Sequence, residues 1–367
     1  MAFNPLAFTS IDLFAGVGGI RLGFEFAFNS NPESRSRIST SYVCELDKFA
    51  RATYSQNFNL SVDSPIFGKD VSTDIVKSSI PDFDICLAGF PCQAFSLAGK
   101  RKGFNDEKRG KLFFDVEEIC RKHNPKIIFC ENVRGLYTLG NKEQGKKYHS
   151  GYEIIRTALQ NLGYKVFEKI LNSANFGVPQ HRERLYIVAI RNDLIKESEE
   201  FIFPEDNAEA VISKKWAATC MEQIRQEGPI PSHYYLSRRY YETLKRHRII
   251  QKEKGRGFGF VVRNWSGISG TILCSNMGRE RNLVVDERHA PLIPKKSDNP
   301  YNDEHVRKLT PREYMRLQGF PEDFKVEGIS DAQLYKQFGN SVTIPVIESI
   351  AVRGFFSLFP LAFRKFP

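Results

Sequence analysis

The sequence predicts an α/β protein in which a doubly wound, mostly parallel sheet is joined to a second, smaller and irregular domain. Three observations carry this. Short apolar runs of β type alternate with helical patterns through the first half of the 367-residue chain, which implies parallel strands with helices on both faces. A glycine-rich turn follows the first strand and opens a helix. After Arg191 the alternation fades into mixed basic, aromatic and polar residues.

In chain order, residues 8–14 read as the first strand, followed by the glycine turn and a helix over 20–28. Further strands are expected at 41–46, 84–88, 126–130, 165–171 and 185–190, with helices at 112–122 and 152–162. Sheets of this kind bind ligands at the carboxyl ends of their strands. Residues 192–303 show no clear periodicity. Regular pattern returns at 309–318, a helix with Thr310 as N-cap and Pro311 in its first turn, and a last helix is expected over 345–356. The predicted division is therefore residues 1–191, completed by 330–367, and a second domain of 192–329.

Composition bounds the reading. Hydrophobic residues make up 41% and charged residues 26%, as in ordinary globular chains. The most apolar stretch, 344–363, is broken by Glu348 and Arg353, so it reads as a buried or amphipathic helix rather than a membrane span. The opening residues lack the charged start and cleavage site of a signal peptide, and a cytoplasmic location is expected. The seven cysteines are odd in number, widely spaced and free of any C-x-x-C pair, which argues against a disulfide framework or a metal site. The formal net charge of +10 suits either a polyanionic partner or a merely basic surface. Clustering favours the partner: Lys100, Arg101 and Lys102 fall together, as do Lys245, Arg246 and Arg248, and Arg279 and Arg281.

The turn at 12–19 reads Asp-Leu-Phe-Ala-Gly-Val-Gly-Gly. Gly16 and Gly18 would let a ligand approach the backbone closely, although a plain tight turn is also possible. A dinucleotide fingerprint needs a third glycine where this chain has Arg21, which lowers the case for a nicotinamide or flavin cofactor. Glu45, at the end of the second strand, is either a ribose-binding acid or a surface acid. Beyond the strand at 84–88 comes Gly-Phe-Pro-Cys-Gln-Ala-Phe-Ser. Cys92 there is a small residue in a turn or a reactive thiol presented at a sheet edge. The basic loop at 99–110 favours the second, because nearby cations lower a thiol pKa.

With these residues in view, the sequence resembles the cytosine-5 DNA methyltransferases. Six segments stand in that family's order: the turn at 12–19, Pro91-Cys92-Gln93, Glu131-Asn132-Val133, the Gln-His-Arg-Glu-Arg run at 180–184, the segment 307–321, and Gly339-Asn340-Ser341-Val342. The resemblance implies a Rossmann-like fold that uses S-adenosylmethionine, with a target-recognition domain in the irregular segment. It implies that Phe14 packs on the adenine, Glu45 holds the ribose, Asp70 and Val71 reach the adenine edge, and Pro91, Leu112, Asn340 and Val342 complete the pocket. Where the family carries a bulky aromatic directly after the ribose acid, this chain has Leu46.

The chemistry explains the catalytic set. Carbon 5 of cytosine is a poor nucleophile until a thiolate adds at carbon 6, so Cys92 is expected as the covalent nucleophile. Ring nitrogen 3 then needs a proton donor, a role for Glu131 if burial raises its pKa. Arg184 would bond the base's exocyclic oxygen, and Arg182 would order the site or a nearby phosphate. The target must leave the double helix, so double-stranded DNA is the expected partner. Contacts are expected from Lys100, Arg101, Lys102, Asn264, Arg279 and Arg281, with Glu280 a further candidate for reading bases. A monomer working beside a restriction endonuclease is the implied setting. The alternatives are the same chemistry on RNA and a non-catalytic DNA-binding relative.

Overall fold

The structure is a computed structural model that describes residues 6–30, 36–91, 112–138, 142–143, 146–147, 151–205, 218–257, 259–274, 280–288 and 300–355. Its strands are β1 (Leu6–Leu13), β2 (Ser36–Cys44), β3 (Phe67–Gly68), β4 (Ile85–Ala88), β5 (Ile127–Val133), the short pair β6 (Lys142–Glu143) and β7 (Lys146–Lys147), β8 (Tyr164–Asn172), β9 (Gln180–His181), β10 (Glu183–Arg191), β11 (Val262–Arg263), β12 (Ser269–Gly270), β13 (Leu283–Val285) and β14 (Val306–Lys308). The helices are α1 (Gly19–Glu25), α2 (Lys48–Phe58), α3 (Asp74–Ser79), α4 (Leu112–His123), α5 (Gly135–Thr138), α6 (Gly151–Asn161), α7 (Arg238–Glu253), α8 (Pro311–Leu317), α9 (Asp331–Asn340) and α10 (Ile344–Ile350).

Seven strands form the main sheet in the order β3-β2-β1-β4-β5-β10-β8. The first five run parallel, while β10 lies antiparallel between β5 and β8. The expected doubly wound, mostly parallel sheet is therefore present. Its strand order reverses direction between β1 and β4, the place where such sheets open a ligand crevice.

Alternate residues of each buried strand feed opposite cores, as a period of two demands. Ile11, Cys86, Ile128 and Ile187 meet α4 and α6 through Val116, Ile119, Ile155 and Leu159. Ile85, Phe129, Tyr186 and Val188 meet α1 and α10 through Ile20, Phe24, Val346 and Ile347. A Cβ at Gly23 would stand 2.5 Å from the Ile347 side chain, so a glycine is required where α1 and α10 cross. That crossing brings the C-terminal helix back to the sheet. Packing does not change at 191, because Ile195, Phe201 and Phe203 lie in the same core as β10.

The second region is more regular than its sequence suggests. A three-stranded sheet, β11-β13-β14, and α7 bury Leu236, Tyr241, Leu244, Phe260, Leu283 and Val306 in a small core. A third core joins the two regions, placing Ile224, Ile272 and Val284 beside Val17, Leu22, Leu317, Phe338 and Ile344. α8 starts as expected: the Thr310 hydroxyl accepts from the Glu313 N–H at 3.2 Å, and the Glu313 carboxylate accepts from the Thr310 N–H at 2.8 Å. Among the described residues no helix is long and apolar enough to cross a membrane.

The Glu313 carboxylate also binds Arg307, which is fully buried. The Arg307 guanidinium forks onto Glu313 at 2.8 Å and onto Asp286 at 2.8 and 2.9 Å. Asp286 takes further bonds from Arg225 and Arg288. Burial alone would raise the Asp286 pKa, but these donors outweigh it and hold the carboxyl well below its usual range. Arg307→Ala leaves two buried carboxylates facing each other and is expected to cost about 3–5 kcal/mol of unfolding free energy, read by denaturant titration. Because the folded pKa of Asp286 is depressed, the network's contribution is present above the unfolded value of about 3.8. It is lost as pH falls from there through the folded pKa, so wild type and variant converge in acid.

Candidate active site

The crevice at the strand-order reversal is a cleft of about 740 Å³, within the range of small-molecule sites. Its floor begins where β1 ends. Phe14, Gly16 and Gly18 all take positive φ (55°, 55° and 85°), conformations that cost a non-glycine residue free energy. The backbone therefore coils tightly and turns its atoms toward the cleft. The turn is tied to β2: the Ala15 N–H donates to the Cys44 carbonyl at 3.1 Å, and the Gly16 N–H donates to Glu45 Oε2 at 2.8 Å. Glu45 Oε1 accepts from the Asp47 N–H at 2.7 Å. Burial raises the pKa of Glu45, against those backbone donors.

Phe14, Gly16, Glu45, Asp70, Val71, Pro91, Leu112, Asn340 and Val342 all line this one cleft. Gly18 is the exception among the expected cofactor residues. It precedes α1, and a Cβ there would collide with the Phe58 ring, so this glycine serves packing between α1 and α2. Arg21 has its own explanation. Its Nε bonds Glu25 at 2.6 Å, its Nη1 donates to the Tyr54 hydroxyl at 3.1 Å, and its guanidinium lies 4.1 Å from the Phe58 ring centre. A third glycine would lose that brace. Leu46 is 70% exposed at the mouth of the cleft.

At the other end stand Glu131, Arg182 and Arg184. Glu131, on β5, is buried, and its Oε1 lies 3.3 Å from Arg184 Nε without a hydrogen bond among the described residues. Burial raises its pKa more than the positive charges of Arg184 and Arg182 lower it. Arg182 is committed elsewhere. Its guanidinium donates to the carbonyls of Ile272 at 3.2 Å and Ser341 at 2.5 Å, with Gly339 at 3.5 Å. It orders the cleft wall by tying the second region to the turn that carries Asn340.

Arg51 gave no signal in the sequence, and Asn132 and Gln180 stood in motif segments without a role of their own. Arg51, on α2, is buried and donates to the carbonyls of Glu45, Val62, Phe67 and Gly68, fixing the loop between Glu45 and Val71. Asn132 donates to the Phe90 carbonyl at 3.1 Å, holding the residues that lead into Cys92. Gln180 joins the Ile272 N–H and the Leu317 carbonyl. An arginine or amide aimed inward looks the same in sequence as one aimed at solvent.

Cys92, Lys100, Arg101, Lys102 and Arg279 lie outside the described residues. Glu280 is not available to read bases, being 3% exposed and paired with Lys308 at 3.1 Å. Asn264 is exposed, and its Oδ1 accepts from the Ser266 N–H at 3.0 Å in a local turn. Arg281 is exposed. Cys44, Cys86, Cys120 and Cys130 are buried, and burial pushes the Cys44 thiol up to about 12, as expected of inert core thiols.

A family model described as C-5 cytosine-specific DNA methylase matches residues 8–354. The chain is 44% identical over 345 residues to the type II methyltransferase M.HpaII of Haemophilus parainfluenzae, spanning 93% of this chain and 87% of that one. It is 36% identical over 358 residues to the type II methyltransferase M.NlaX of Neisseria lactamica, spanning 98% and 99%. Among solved structures, the Entamoeba histolytica methyltransferase EhMeth matches with a TM-score of 0.67 at 19% identity, covering 96% of this chain and 98% of that one. The S. pombe Dnmt2 methyltransferase matches at 0.65 and 18%, covering 96% and 99%. At such identities the likeness speaks for the fold alone.

Arg182→Ala removes the donors that satisfy buried carbonyls on two separate segments and is expected to destabilise the protein by about 3 kcal/mol, with weaker ligand binding in the cleft. Arg184→Ala, whose only side-chain hydrogen bond among the described residues goes to the neighbouring Glu183 carbonyl, should leave the melting temperature within a few degrees. Equal thermal stability of both variants would contradict the tying role of Arg182.

Proposed function

The chain belongs to the C-5 cytosine-specific DNA methylase family and is a DNA cytosine-5 methyltransferase of the restriction–modification type that uses S-adenosylmethionine; we propose how its residues divide that work. The observation that carries the proposal is Glu131, a buried carboxyl facing the cleft with a raised pKa and an Oε1 left without a hydrogen bond among the described residues.

The cleft suits the cofactor. No atom lies within 4 Å of where a Cβ on Gly16 would stand, so the turn offers open backbone to a ligand. Glu45 and Asp70 supply carboxylates for ribose hydroxyls and the adenine edge, and Phe14, Val71, Pro91, Leu112 and Val342 supply apolar walls. S-adenosylmethionine, when bound, supplies an electrophilic methyl group on a positive sulfur.

The chain's own residues prepare the base to receive it. Cys92 adds its thiolate to carbon 6 of the cytosine, forming the S–C bond as electrons move through the ring toward nitrogen 3. Glu131 holds a proton at nitrogen 3 and offsets that charge. Carbon 5 thereby becomes an enamine carbon, nucleophilic enough for the methyl. Arg184, beside Glu131, bonds the exocyclic oxygen of the base. Transfer of the carbon 5 proton to water then expels Cys92 as thiolate and restores the aromatic ring. Arg182 acts as a positioning residue for this set.

The cytosine reaches the cleft by leaving the duplex, at a cost of roughly a few kcal/mol. Lys100, Arg101 and Lys102 are assigned to the DNA backbone, with Asn264, Arg279 and Arg281 on the recognition side. Residues 1–191 with 330–367 carry catalysis, and 192–329 choose the target. The enzyme works as a cytoplasmic monomer, and a restriction endonuclease of matching specificity is its functional partner.

Incubation with radiolabelled S-adenosylmethionine and mixed bacterial duplex DNA is expected to yield labelled 5-methylcytosine with wild type and none with Cys92→Ala. Glu131→Gln should lower turnover by roughly 10²–10⁴-fold while retaining cofactor binding. The raised pKa keeps Glu131 protonated to higher pH than a free glutamate, so turnover falls as pH rises through that folded value. Label incorporated equally by Cys92→Ala would overturn the assignment of the nucleophile.

A further inference from the structure

We propose that Arg263 is a specificity-determining residue that reads a guanine beside the target cytosine, presented as a fixed two-pronged donor by Arg281 and Gly270. This rests on the assignment of 192–329 to target choice.

Arg263 sits on β11 opposite Val284 of β13. Its Nε donates to the Arg281 carbonyl at 3.2 Å, which fixes the plane of the guanidinium and leaves the two terminal nitrogens to act elsewhere. The group rests against Gly270, where a Cβ would stand 2.6 Å from one terminal nitrogen. Gly270 is itself immobilised, its N–H donating to Asn282 Oδ1 at 2.8 Å and its carbonyl accepting from Asn282 Nδ2 at 3.1 Å.

The location is next to the chemistry. Gly270 pairs with His181 across β12 and β9, and Thr271 Oγ1 donates to the His181 carbonyl at 2.8 Å. The following residue is Arg182, in the cleft wall. Arg263 therefore rests against the β12-β9 pair, whose second strand runs on into the strand that carries Arg184.

Four cations packed close to the β11-β13-β14 sheet are neutralised. Arg225, Arg288 and Arg307 share Asp286, and Lys308 pairs with Glu280. Neither Arg263 nor Arg281 has a carboxylate partner among the described residues. Arg263 is nevertheless half-buried, and beyond burial itself the nearby charge of Arg281 makes its cation less favourable. A half-buried guanidinium without a carboxylate, beside a second, exposed one, is complementary to an electron-rich group from outside the chain. Of the acceptors on duplex DNA, O6 and N7 of guanine match a planar two-donor fork held in one orientation. A phosphate contact needs charge but not that rigidity.

The test compares wild type, Arg263→Ala, Arg263→Lys and Gly270→Ala on a duplex library randomised around the methylated cytosine, read by sequencing of 5-methylcytosine. Gly270 has an ordinary φ, and the clashing atom is the far end of a side chain, so Gly270→Ala displaces the fork without rebuilding the strand. All three variants should retain cofactor binding and lose preference for guanine at one fixed position by roughly ten- to hundredfold. The slope of binding against salt should stay at the wild-type value, and lysine, which has no planar fork, should not restore the preference. Uniform weakening on every sequence with a salt slope smaller by about one would make Arg263 a phosphate contact and overturn the proposal, as would unchanged preferences. A wild type that methylates no library member would instead count against the assignment of the site and of 192–329.

Discussion

The buried guanidinium of Arg182 is the constraint on which the assembled site depends. A charge that deep must have its donors met, and the acceptors are carbonyls from two segments more than sixty residues apart in sequence: Ile272 in the second region, and Gly339 and Ser341 at the end of α9. Gln180 and Gln318 extend the same network, Gln180 reaching Ile272 and Leu317, and Gln318 reaching Phe338 and Ser341. The run Gln-His-Arg-Glu-Arg alternates inward and outward. Gln180 and Arg182 are buried with backbone acceptors, His181 is exposed, and Arg184 meets Glu131. One short stretch thus joins the second region, the turn that carries Asn340 and the Glu131 carboxyl.

That arrangement sets a balance at Glu131. Two arginines close to a carboxyl favour its ionised form, and burial favours the neutral form; here burial prevails. Committing Arg182 to carbonyls spreads its charge over neutral dipoles, leaving Arg184, at 3.3 Å, as the single direct ionic neighbour among the described residues. A carboxyl poised this way can hold a proton or release it with a modest change in its surroundings, as acid catalysis requires.

Much of the catalytic half was legible because its signals are local. The alternation of apolar runs gave the strands, the glycines gave the turn, and Thr310 with Pro311 gave the start of α8. What escaped was non-local. α7, sixteen residues long, read as irregular because it buries little beyond Tyr241 and Leu244 beneath a crowd of exposed charges, and a stripe that thin leaves almost no periodicity. The boundary at 191 followed the loss of alternation, whereas Phe201 and Phe203 continue the core through a segment without regular structure. Gly18 was grouped with the ligand turn because its neighbour Phe58 lies forty residues further on. Glu280 stood as a candidate for reading bases until the fold buried it against Lys308.

The contact at Gly339 carries one more consequence. A Cβ there would run into the backbone of Leu273 and Cys274, so at this point the second region and the turn that carries Asn340 touch main chain to main chain. Interfaces of that kind transmit shape but are indifferent to residue identity. Side chains at 273 and 274 can then vary at this contact, provided the backbone keeps the same trace and meets a glycine on the other side. The two regions are separated there by no more than the width of a missing methyl group.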